Sequence, residues 1–262
     1  MTELTAERVR QGIVEHSRRL AESAVATDPG TAVPTAPEWN VAELVEHVGQ
    51  THNWVAEIIE RRIADPTHLP TEMAVMPTDP AEWPAWLAES AQRVAAACSD
   101  DALDAPVFNA AGDERSGTRF WMSSVLNESV VHGFDAHVAA GRPTDVDADI
   151  AAALISNHLA MLTSPTWEML RTESAHAIRG TGQRLQLVAG DCAWFIERLP
   201  DGAVWRTGRH EADVTVTGPA GPMFQTLVRR LPLDDAEAAG LTIEGDAALV
   251  RHWLDNTAHV AD

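Results

Sequence analysis

The stretch Trp39-Asn40-Val41-Ala42-Glu43-Leu44-Val45-Glu46-His47-Val48-Gly49 carries the start of a helix in its own composition. Asn40 has a short polar side chain suited to accept from a free backbone N–H at a helix N-terminus, and Glu43 follows at capping-box spacing. Val41, Leu44, Val45, Val48, Val55 and Ile59 then recur as a helical apolar stripe. Upstream, Val9, Ile13 and Leu20 mark one face of a helix from Thr5 to Ala24, closed by Asp28-Pro29-Gly30 and a Pro-containing loop through Pro37. Downstream, a helix from Asp79 or Trp83 to Cys98 is expected, and another from Thr118 to Ala140 stopped by Gly141-Arg142-Pro143. A further helix, Asp147 to Leu162, precedes Ser164-Pro165. Four or five helices with sizeable connections describe a bundle.

The pattern changes after Arg171. Leu185-Gln186-Leu187, Trp194-Phe195-Ile196, Val214-Thr215-Val216 and Leu241-Thr242-Ile243 read as short strands between Gly and Asp turns. Helices are expected over Pro219–Leu231 and Asp246–Thr257. The fold class is therefore α+β: a helical bundle over residues 1–171, then a small α+β domain over 172–262.

Composition bounds the function. A net charge of −20 argues against nucleic acid and anionic membranes, both of which need a basic face. No stretch reads as a signal peptide, and no apolar run approaches the roughly 20 residues that span a bilayer, so a soluble cytoplasmic protein is expected. Cys98 and Cys192 stand far apart among apolar neighbours and read as reduced packing residues. All 19 basic residues are arginine, and Lys and Tyr are both absent, which fits a GC-rich genome.

Chemistry concentrates in Leu126-Asn127-Glu128-Ser129-Val130-Val131-His132-Gly133-Phe134-Asp135-Ala136-His137. Glu128 and His132, four residues apart, are neighbours on one helix face and can bind one metal from the same side, although such pairs also arise by chance. A third ligand from another helix would be His47 or His52. These are five residues apart, about 140° around the axis, so they do not serve one ion together. Periodicity does not choose between them.

The Trp39–Gly49 segment resembles the second-helix signature of the DinB-like bundle family. Glu128-x-x-x-His132, followed by Asp135 and Gly141-Arg142-Pro143, resembles the second ligand-bearing helix of its mycothiol-dependent maleylpyruvate isomerase branch. Ala212–Ala220, Leu231-Pro232 and Glu244-Gly245-Asp246-Ala247-Ala248-Leu249 are similar to that branch's C-terminal domain, which resembles sterol-carrier-protein modules. The resemblance implies a metal set of His47, Glu128 and His132, with His52 left as a packing or supporting residue and Asp135 as a partner for a ligand histidine. Three protein ligands leave a position open, as at a catalytic site, and imidazole with carboxylate suits zinc best.

The resemblance further implies mycothiol as co-substrate and an electrophilic small molecule as its target. The reaction would be S-transfer or cis–trans isomerisation, in an actinobacterial enzyme that is a monomer or homodimer. Arg229 and Arg230, expected on the helix before Leu231-Pro232, are candidates to bind the thiol's carboxylate. Trp39, Trp54 and Trp121 are expected to border the site. The alternatives are a non-catalytic metal-binding regulatory or partner-binding protein, or a metal hydrolase that needs no thiol.

Overall fold

A computed structural model describes residues 4–257. Its N-terminal unit spans Leu4–Ala110 and Glu114–Asp145, and its core elements are α1 (Ala6–Ala24), α2 (Val41–Glu60), α3 (Trp83–Ala97) and α4 (Gly117–Ala139). Three of the four, α1, α2 and α4, start at a side-chain cap. Thr5 caps α1, Ser116 caps α4, and at α2 the expected box is complete: Asn40 accepts from the Glu43 N–H at 3.0 Å, and Glu43 accepts from the Asn40 N–H at 2.8 Å. α4 stops at Gly141, whose φ of +65° suits a residue without Cβ.

The bundle core brings Leu20 of α1, Leu44, Val45 and Val48 of α2, Leu87 of α3 and Ala136 of α4 into one buried cluster. The Pro-containing segment before α2, expected as loop, is in part a hairpin. β1 (Ala32–Val33) pairs antiparallel with β2 (Ala36–Asn40) around Pro34-Thr35, and Val33 and Ala36 sink into the same cluster.

The C-terminal unit begins at Val146 and includes Ala111–Asp113. Its mixed sheet has the order β5-β4-β3-β6-β7, formed by β3 (Gln183–Ala189), β4 (Cys192–Leu199), β5 (Gly202–Thr207), β6 (Val214–Thr217) and β7 (Thr242–Gly245). Only the β3–β6 pair is parallel. Its helices are α5 (Ala148–Leu162), the short α6 (Pro165–Leu170) and α7 (Thr172–Ala177), then α8 (Ala220–Leu227) and α9 (Ala247–Asp255).

This division corrects the expected boundary near residue 172. The units part between Asp145 and Val146, because α5 packs on α8, and Ser156 of α5 accepts from the buried Trp194 indole of β4 at 2.8 Å. An amphipathic pattern shows that α5 needs a partner, not which one. Strand β5, α6 and α7 were also not anticipated; β5 carries little apolar sequence beyond Val204-Trp205 and lies at the sheet edge.

Candidate metal centre

The capped start of α2 fixes the rotation at which His47 leaves the helix, and α4 presents Glu128 and His132 on successive turns. The three side chains converge: their potential ligand atoms all lie within 4.8 Å of one another. Glu128 Oε2 is 3.0 Å from His47 Nε2 and 3.1 Å from His132 Nε2. Trp39, at the end of β2, lies against both imidazoles, with ring centroids 4.7 Å from His47 and 5.4 Å from His132.

Asp135, fully buried, accepts from His132 Nδ1 at 2.9 Å. One helical turn separates the two, so α4 supplies the histidine and its orienting carboxylate from a single local spacing. The other carboxylate oxygen accepts from the Thr35 hydroxyl at 2.5 Å.

The electrostatics follow from that packing. Burial works against charge on Glu128, yet the hydrogen bonds from His132 and His47, and their charge, hold its carboxyl far below the ordinary range. Burial likewise opposes charge on His132, but the hydrogen bonds to Asp135 and Glu128 outweigh it and hold the imidazole at about 9. The site is thus built around a carboxylate that stays ionised and is matched by positive charge. Two imidazoles and one carboxylate, with one imidazole oriented through its far nitrogen, fit a divalent cation such as zinc.

His52 takes a different place from the supporting role the resemblance left open. Its ring is completely buried, with Nδ1 3.2 Å from Ser90 Oγ and Nε2 3.1 Å from Ser129 Oγ. Both nitrogens are engaged there, so His52 orients no ligand; it is a core histidine. Trp54 and Trp121 meet edge to face at 5.3 Å, seven residues, about two turns, from His47 and Glu128 on their respective helices. Cys98 is buried, which pushes its thiol up to about 12 and disqualifies it as a nucleophile at neutral pH.

The two arginines lie outside the helix on which they were expected. α8 ends at Leu227, so Arg229 and Arg230 lie in the turn beyond it, Arg229 with φ +63°. The Arg229 guanidinium donates to the Leu254 carbonyl at the end of α9 and stands 3.8 Å from Asp255. That geometry holds Arg229 at the C-terminal end of α9. Arg230 donates to the Val228 carbonyl at 3.0 Å. Thr35 is the residue that sequence reasoning missed. A threonine in a Pro-Thr turn carries no local sign that it reaches a buried carboxylate.

Fold and site together define a class: a helical bundle with a two-histidine, one-glutamate centre, joined to an α+β unit. The family model described as the mycothiol maleylpyruvate isomerase N-terminal domain matches residues 10–137, which contain all three converging side chains. The N-terminal unit is thus similar to the N-terminal domain of the mycothiol maleylpyruvate isomerase family over those residues. Among solved structures it is similar to the crystal structure of the mycothiol-dependent maleylpyruvate isomerase, with 16% identity, a TM-score of 0.56, and coverage of 93% of this chain and 96% of that one. A mutant of that enzyme matches with a TM-score of 0.55, at the same identity and coverage. At this identity the likeness is one of fold. No curated protein matches by sequence.

Proposed function

We propose that the protein is a metal-dependent enzyme that uses mycothiol as its thiol co-substrate, of cis–trans isomerase or S-transferase type. The carrying observation is the convergence of His47, Glu128 and His132 within 4.8 Å, inside the segment that matches the mycothiol maleylpyruvate isomerase domain. The isomerase bearing a similar fold is mycothiol-dependent by its description, which supports the thiol and the reaction class.

His47 and His132 would each give Nε2 to the metal, most suitably zinc, and Glu128 a carboxylate oxygen. When bound, such a metal lowers the pKa of a coordinated thiol or water and so supplies a nucleophile at neutral pH. The chain's own contributions are orientation and charge. Asp135 holds the His132 ring so that Nε2 faces Glu128. The charge of Glu128 offsets part of the cation's, which tunes its acidity. Trp39 forms an apolar wall against both imidazoles and keeps water from that side. Cys98 of the same unit is buried with its thiol pushed up to about 12, so this reading takes the sulfur from the co-substrate.

The test is metal content and thiol binding in one preparation. Wild type purified without chelator and reconstituted with zinc should hold about one equivalent per chain, and Glu128→Ala should lose it together with mycothiol binding. Metal bound without any response to mycothiol would instead identify a regulator or a water-using hydrolase. A wild-type chain that takes up no metal would end the proposal.

A further inference from the structure

We propose that Thr35 is a positioning residue for the metal centre, delivered by the β1–β2 hairpin to fix Asp135 and, through it, the imidazole of His132. The proposal rests on the reading of His47, Glu128 and His132 as metal ligands and goes beyond it, to a residue outside both ligand helices.

Three observations carry it. Asp135 is 0% exposed, and a buried carboxylate is tolerated only where its oxygens are hydrogen-bonded. One oxygen accepts from His132 Nδ1 at 2.9 Å and the other from Thr35 Oγ1 at 2.5 Å, so the ring and the hydroxyl hold opposite sides of one group. With Nδ1 so engaged, Nε2 of His132 is the nitrogen left to face Glu128, 3.1 Å away. Remove the hydroxyl and one carboxylate oxygen loses a donor. The carboxylate is then held less firmly, and so is the ring it orients.

The hairpin is placed by its own packing rather than by this hydrogen bond. Val33 is 0% exposed and Ala36 8%, and both lie in the buried cluster that also holds Ala136, the neighbour of Asp135 in sequence. Pro34 sets φ at the first turn position and so restricts where Thr35 can sit. The same hairpin ends in Trp39 against both ligand imidazoles, so it meets the centre at two points. Its side chains form a clasp over a site whose ligands all come from α2 and α4.

The experiment uses the full chain as wild type, Thr35→Val, Thr35→Ser and Asp135→Asn. Zinc affinity is measured by competition with a chromophoric chelator, and ligand geometry by the visible absorption of the cobalt-loaded protein. Thr35→Val, nearly isosteric, should weaken zinc binding by about 10-fold and alter the cobalt bands, as loss of an outer hydrogen-bond partner does. Asp135→Asn should weaken it at least as much, and Thr35→Ser, which keeps the hydroxyl, should restore affinity and spectrum.

Wild-type affinity and spectrum in Thr35→Val would overturn the proposal while leaving the metal site standing. Equal weakening in Thr35→Val and Thr35→Ser would also overturn it, because the methyl and not the hydroxyl would then matter. Failure of wild type itself to bind zinc or cobalt would sink the underlying metal reading, and this inference with it.

Discussion

His52 and His47 differ by five positions on one helix, and their surroundings give them opposite characters. His47 is partly open and shares Glu128 with His132, whereas His52 is closed between two serines. Burial lowers the His52 pKa to about 4; the charge of Glu128 opposes the shift and that of His47 adds to it. Because the folded value lies below the ordinary 6.5, protons bind the unfolded chain more tightly in that window. The stabilisation is complete above about pH 6.5 and is lost as pH falls toward 4, by on the order of 3 kcal/mol. Urea unfolding of wild type and His52→Gln at pH 7, 5.5 and 4.5 tests this. The variant should be the less pH-sensitive of the two, and parallel profiles would remove His52 as the cause.

At the scale of elements, α2 was legible in sequence from its cap onward, since capping and apolar periodicity depend on residues within one turn of each other. Its packing against α3 was not. A Cβ on Gly49 would come within 2.2 Å of the Trp86 ring, so α2 and α3 approach at a distance that only glycine permits. Gly49→Ala gains up to about 1 kcal/mol of helix propensity. It should nevertheless lower stability by about 1–3 kcal/mol net, since overpacking against the partly buried Trp86 ring outweighs that gain. A lower urea midpoint with an unchanged slope is the expected result, and a raised midpoint would show that Trp86 moves aside freely. The β1–β2 hairpin was the element least visible beforehand. A two-residue strand beside prolines has no periodicity to read, and its place depends on the cluster formed by four helices.

For the whole molecule, the metal should act as a ligand of the folded bundle. Saturating zinc at about 100 times its dissociation constant stabilises by about 2.7 kcal/mol. Melting followed by tryptophan fluorescence should therefore shift upward with zinc and back with chelator, and the shift should vanish in Glu128→Gln. A zinc response that survives in that variant would place the ion elsewhere. The acidic character of the chain, −20 overall, opposes nucleic-acid binding but does not oppose a cation, and it leaves the ligand cluster as one carboxylate among 39 acidic residues. Nothing in charge alone would have singled out Glu128.

The sequence by itself determined what is short-range: where α1, α2, α4 and the central strands form, how α2 is capped, that Glu128, His132 and Asp135 share neighbouring turns, and, through resemblance, the family. Tertiary structure alone decided what depends on which faces meet. It turned His47 toward Glu128 and closed His52 between Ser90 and Ser129. It joined α5 to the C-terminal unit, tied Arg229 to α9, and brought Thr35 across 100 residues of chain to Asp135. The reason is physical: helix spacing repeats over three or four residues and can be read locally, whereas the partner of a buried face is chosen by the packing of the whole core.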